Sequence, residues 1–135
     1  MFNVQLTMLL NRKITMTYSG APIAPSYPKR YSSFMNRLLK SDEFDAWFGT
    51  IKDLRAKARI LARLLAAEKG NFGDCASVGS GVFEMRLHFG PGYRLYYTRQ
   101  GDVIYLLLIG GDKRSQKRDI QQAIAMMASL EKDRQ

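Results

Sequence analysis

Apolar residues along the chain follow two different periods. Phe44, Trp47, Phe48 and Ile51 recur at helical spacing behind Ser41, a good N-cap, and Asp42, Glu43 and Asp45 place negative charge at the positive end of that helix. Asp53 caps a second predicted helix, which runs to about Lys69 and stops at Gly70-Asn71. Its apolar stripe reads as Leu54, Ala58, Leu61, Ala62 and Leu65, and the short link between the two helices predicts an antiparallel hairpin. In Val82–Phe89 the period drops to two, with Phe83, Met85, Leu87 and Phe89 alternating with Val82, Glu84, Arg86 and His88. Gly90-Pro91-Gly92 turns the chain into a strand over Tyr93–Arg99, and Gln100-Gly101-Asp102 turns it again. Val103–Ile109 is apolar throughout, as a central strand is, and Gly110-Gly111 ends it. A final helix from about Ser115 sets Ile120, Ala123, Ile124, Met127 and Leu130 on one side. With a short strand over Met35–Leu39, the order is strand, two helices, a three-stranded meander and a helix. That order predicts a small α+β domain whose helices pack on one sheet face.

Composition narrows the class. The chain has 135 residues, a length that suits one domain, and no apolar run long enough to span a bilayer. One cysteine, Cys75, excludes an internal disulfide and a multi-cysteine zinc site; one histidine, His88, excludes two-histidine metal motifs. Cys75 reads as a packing residue, and a reducing cytoplasm is the expected compartment. The formal charge of +9 calls for a polyanion or an acidic protein partner. The first 34 residues contribute +4 through Arg12, Lys13, Lys29 and Arg30, with three of the four prolines and no acid. This stretch has some features of a transit peptide and few of a secretory signal; it reads as a flexible N-terminal extension, or as sequence upstream of a native start at Met35. Residues 35–135 then form the working domain.

Three places have the residue types for chemistry. Arg86 and His88 point the same way from one strand, Arg94 and Tyr96 share a face of the next, and Lys113 lies just past the central strand. Antiparallel pairing lines a shallow cleft with these cations, an imidazole and a phenol; phosphates need the cations, and unstacked bases need the flat groups. A solvated sheet face is the alternative. Arg55, Arg59 and Arg63, four apart, make a basic stripe suited to structured RNA or an acidic partner helix, or simply a solvated helix face. Gly79-Ser80-Gly81 and Gly110-Gly111-Asp112-Lys113 offer backbone N–H groups to an anion, but a turn explains the first and Asp112 opposes a phosphate at the second.

Several runs also resemble a known family. Asn71-Phe72-Gly73-Asp74, Val78-Gly79 with Gly81-Val82, and Glu84-Met85-Arg86 are similar in order to the short toxins of the RelE/ParE superfamily. Gly90-Pro91-Gly92-Tyr93-Arg94-Leu95-Tyr96-Tyr97 and Leu106-Leu107-Leu108-Ile109-Gly110-Gly111-Asp112-Lys113, then Gln116 and Asp119-Ile120, continue the likeness, which is strongest to the HigB-like addiction-module killer proteins. The resemblance covers about Met35 to Leu130. It implies a RelE-like, antiparallel-rich sheet with an N-terminal helical hairpin on one face and a C-terminal helix. It implies the toxin of a type II toxin–antitoxin pair, a metal-independent and cofactor-free endoribonuclease that cuts mRNA on the ribosome and so arrests translation and growth. Its partner would be a helix-turn-helix antitoxin encoded next to it, with no membrane involved. By motif position Arg86, Arg94 and Lys113 would hold the scissile phosphate, and His88 falls beside them at a strand position that is often basic in the family; as an imidazole it would act as acid or base. Tyr96 would stack a base, and Arg55, Arg59 and Arg63 would contact RNA. RelE-type toxins carry a catalytic tyrosine in the C-terminal segment; here the comparable position is near Asp119, and no tyrosine follows Tyr105. ParE-like relatives keep the fold and inhibit DNA gyrase without cutting anything, which is the alternative activity.

Overall fold

A computed structural model describes residues 37–100 and 104–133, together with two short strands, β1 (Met8–Leu10) and β2 (Ile14–Met16), which pair antiparallel with each other. Strand β3 spans Arg37–Lys40; Met35 and Asn36, at the start of the predicted strand, lie outside the described residues. Ser41 then caps helix α1 (Asp42–Thr50), its hydroxyl accepting from the backbone N–H of Phe44 at 3.0 Å. The same hydroxyl donates to the Leu108 carbonyl at 2.5 Å and so ties the helix start to the sheet. The Asp53 carboxylate caps helix α2 (Leu54–Glu68) through the N–H groups of Arg55 and Ala56.

Four further strands follow: β4 (Cys75–Gly79), β5 (Val82–Leu87), β6 (Tyr93–Gln100) and β7 (Ile104–Asp112); helix α3 (Gln116–Asp133) ends the fold. The sheet order is β3-β7-β6-β5-β4, antiparallel except where β3 runs parallel to β7. Among the described residues the architecture is therefore α+β, with a five-stranded mixed sheet and three helices. Strand β4 was not legible as a strand. It is a short edge whose hairpin turn, Ser80-Gly81, has both residues at positive φ, 54° and 76°, the geometry that matches strand twist across a two-residue loop. The turn predicted at Gln100-Gly101-Asp102 has Gly101 and Asp102 outside the described residues.

Two expectations are corrected by the packing. Helices do not share one sheet face. Phe44 of α1 with Ile60, Leu64 and Ala67 of α2 bury one side of the sheet against Met85, Leu87, Leu95, Tyr97 and Leu107. Ala123, Met126, Met127 and Leu130 of α3 bury the other against Val82, Tyr96, Leu106 and Leu108. Strands with apolar residues on both sides need cover on both, so the domain has three layers. The second correction concerns α2. Its buried positions are Ala56, Ile60, Leu64 and Ala67, while Leu54, Ala58, Leu61, Ala62 and Leu65, the predicted core stripe, all face solvent. The helix has two apolar stripes, and the one with alanines at its ends, which admit a close approach to the sheet, is the one turned inward.

The end of β7 is also different from the expectation that Gly110-Gly111 would stop it. The strand continues through both glycines to Asp112 because each is a point of close approach rather than a terminator. A Cβ on Gly110 would collide with the Trp47 ring, and one on Gly111 with the Asp119 carboxylate. Gly110→Ala should therefore cost about 1–3 kcal/mol by overpacking and shift the emission of Trp47, the sole tryptophan, in denaturant titrations followed by fluorescence. Gly49, with nothing within 4 Å, is the control: Gly49→Ala should be neutral or slightly stabilising.

Candidate functional site

The basic cluster forms around a buried carboxylate that the sequence reading passed over. Glu84 lies on the β5 side facing α3 and is wholly buried. Opposite it on β6 is Tyr96, and two register pairs along, on the same face, Arg86 faces Arg94. Glu84 accepts from Arg86 Nε at 2.8 Å, from Gln116 Nε2 of α3 at 2.7 Å and from the Tyr96 hydroxyl at 3.2 Å; Arg94 Nε lies 3.4 Å from the same carboxylate. Burial pushes the Glu84 carboxyl up, but these hydrogen bonds and the Arg94 charge outweigh it and leave the group below the ordinary carboxylate value. The Tyr96 phenol is pushed far up, by burial first and then by the adjacent Glu84 charge. Glu84 is the hub that fixes the two arginines. The signal available in sequence was its place two residues before Arg86, on the same face.

Arg86 and His88 share a second acid, Asp74, in the loop before β4. Its Oδ2 lies 2.6 Å from His88 Nε2 and its Oδ1 lies 3.6 Å from Arg86 Nη1. The hydrogen bond to His88 is the main cause holding the Asp74 carboxyl below its ordinary value, with the Arg86 and Arg63 charges adding to it. An ionised carboxylate only accepts, so it fixes the imidazole with its proton on Nε2 and leaves Nδ1 as the acceptor. The Asp74 loop is itself anchored: its carbonyl accepts from the Arg86 N–H at 2.8 Å and from Arg63 Nη2 at 3.3 Å, while Arg63 Nε donates to the Phe72 carbonyl at 3.0 Å.

The structure thus brings Arg86 and His88 together, with Lys113 near the same sheet end, its Cβ close to Gly92 where Arg94 also reaches. Arg86, at 35% exposure, and His88, at 71%, present themselves to solvent, and Lys113 is exposed. Three expectations change. Tyr96 has no accessible ring face and stacks no base, because α3 covers it. Arg94 exposes only 12% of its side chain, donating from Nη1 to the Gly92 carbonyl at 3.1 Å; it braces the Glu84 hub more than it presents a charge. The arginine stripe of α2 lies with the opposite sheet face, and its members differ. Arg63 is a loop clamp, Arg59 covers the Phe89 ring at 4.9 Å, and Arg55 is exposed. Asp119, at the position comparable to the missing tyrosine, is buried against Gly111 and accepts from the Ser115 hydroxyl at 2.5 Å, so it does not reach this site as a base.

Among the described residues, no group of His, Cys, Asp and Glu side chains is gathered to hold a metal ion, and no helix is long and apolar enough to cross a membrane. No protein-family model matches the sequence. The chain is 51% identical over 87 residues to a protein of Haemophilus influenzae described as an uncharacterized protein, a match that takes in 64% of this chain and 88% of that one. At that identity and coverage, the chain belongs to the same family as this Haemophilus influenzae protein.

Proposed function

We propose that the protein is a RelE/ParE-superfamily toxin of the HigB-like group, a metal-independent endoribonuclease acting on ribosome-bound mRNA and paired with a helix-turn-helix antitoxin. The observation that carries this reading is the exposed Arg86 beside an imidazole oriented by Asp74. That arrangement fits in-line attack of a ribose 2′-hydroxyl on the adjacent phosphate. His88 Nδ1 takes the 2′-hydroxyl proton, the new O–P bond forms, and the 5′-oxygen leaves with a proton returned from the imidazolium by way of water. The products are a 2′,3′-cyclic phosphate and a 5′-hydroxyl. Arg86, with Lys113 beside the path, stabilises charge developing on the phosphate oxygens. The role of the tyrosine in RelE-type toxins passes to His88 in this scheme.

Induction of the chain followed by primer extension on cellular mRNA, with plasmid supercoiling measured in parallel, tests the proposal. New codon-aligned cuts with unchanged supercoiling are expected. Altered supercoiling with intact mRNA would instead favour a ParE-like gyrase inhibitor, the reading favoured by the lack of any tyrosine after Tyr105. Arg86→Ala should lower the cleavage rate on the order of 10²–10³. A fully active Arg86→Ala variant would remove the phosphate site from this end of the sheet.

A further inference from the structure

Helix α2 turns a second apolar stripe to solvent. At 100° per residue, Leu54, Leu61 and Leu65, with Ala58 and Ala62, occupy one arc, well separated from the buried Ile60 and Leu64. The three leucines are 78%, 42% and 59% exposed and are the exposed large hydrophobics among the described residues. From Leu54 to Leu65 the stripe runs about 17 Å, three turns of helix. A stripe of this kind beside charged groups marks a protein contact rather than an ordinary solvated face.

The charges around it select the occupant. Residues 52–69 hold six cations and two acids, and one of those acids, Asp53, accepts from the helix's own N–H groups. Arg55 and Arg59 border the stripe on one edge, Lys57 and the one acid Glu68 on the other, and Lys69 closes its C-terminal end. A second copy of this chain would bring like charges face to face across the leucines, a repulsive arrangement. A nucleic acid would satisfy the cations and leave the leucines in water. We propose that this face docks an amphipathic helix of a partner protein, about three turns long, whose apolar stripe is edged by carboxylates. The surface lies with the sheet face opposite Glu84 and Arg86, so the partner would engage the protein without occupying the basic site.

Fluorescence anisotropy of the full chain with two labelled helical peptides tests this independently of any cleavage. The peptides share a leucine stripe, and one is edged by Glu and the other by Lys. Saturable binding of the Glu-edged peptide is expected, at least about tenfold tighter than the Lys-edged one and weakened by added salt. The Leu61→Asp/Leu65→Asp variant should lose at least about tenfold in affinity. Both sites are exposed, so its near-ultraviolet circular dichroism should match wild type. The Arg55→Glu/Lys69→Glu variant should shift the preference toward the Lys-edged peptide. Equal binding of the two peptides, binding indifferent to the leucine changes, or no binding would each overturn the proposal. So would a concentration-dependent dimer in light scattering that the leucine variant dissolves, because the occupant would then be a second copy.

Discussion

Replacing Glu84 with alanine should lower the unfolding free energy by about 3–5 kcal/mol, the largest stability effect expected of any polar residue in the domain. The carboxylate is fully buried and serves Arg86, Arg94, Gln116 and Tyr96 at once. Removing it leaves the Arg94 Nε and the Tyr96 hydroxyl buried without their carboxylate, and takes from the part-exposed Arg86 one of its two acidic partners. Urea titration followed by circular dichroism measures the loss. The same hub carries a pH dependence with a definite sign. The native carboxyl is held below its ordinary value of 4.5, so its stabilisation is present above that pH and is lost as acid takes the pH down through the native value. Glu84→Gln keeps the shape and one acceptor oxygen but cannot titrate. It should be less stable than wild type at neutral pH and show a flatter acid limb. An acid limb unchanged in this variant would show that Glu84 is not the group whose protonation loosens the fold.

The second large effect concerns chemistry. His88→Gln should lower RNA cleavage on the order of 10²–10⁴, the range for a positioned acid–base group, while folding stays intact because the imidazole is 71% exposed. Asp74→Asn should act through the same ring. An amide in place of the carboxylate no longer demands the proton on Nε2, so the tautomer that offers Nδ1 as acceptor is no longer enforced. Because His88 is the sole histidine, its ring nitrogens give unambiguous nitrogen resonances. They should report the Nε2–H form in wild type and a mixture in Asp74→Asn, with cleavage reduced about 10²-fold. If cleavage survives His88→Gln unchanged, the base is another group and the proposed mechanism fails. If cleavage falls while the tautomer in Asp74→Asn stays put, Asp74 acts by its charge rather than by orienting the ring.

The elements that were legible were those whose signals are local. Ser41 and Asp53 cap α1 and α2 as predicted, because a cap needs only a short polar side chain and the N–H groups two or three residues on. The stripe of α3 was equally clear, since burial there follows a single period; the alternation in β5 marked the strand but not its burial, because α3 also covers Val82 and Glu84 on the other face. Strand β4 was missed because Cys-Ala-Ser-Val-Gly has no alternation strong enough to announce an edge strand. For α2 the sequence contains two apolar stripes and no rule for choosing between them. The choice depends on the sheet, on the close fit allowed by Ala56 and Ala67, and on Arg63 reaching the Phe72 and Asp74 carbonyls.

The candidate site divides in the same way. Arg86 and His88 were paired from their spacing alone, because two residues along a strand return to the same side. Tertiary structure decided which of the predicted residues stay available. It set α3 across Tyr96, drew Arg94 inward to Glu84, and spent Arg63 on a loop eleven residues away in sequence. It also supplied Asp74, fourteen residues from His88, at hydrogen-bond distance to the imidazole. The sequence by itself determined the helices, the meander and a strand pair rich in cations, all consequences of periods and caps that act over a few residues. Only the folded chain decided which face α2 buries, which carboxylates hold the cations and which cations remain open to solvent. Those outcomes depend on partners brought together by the sheet register and by helices on both of its faces.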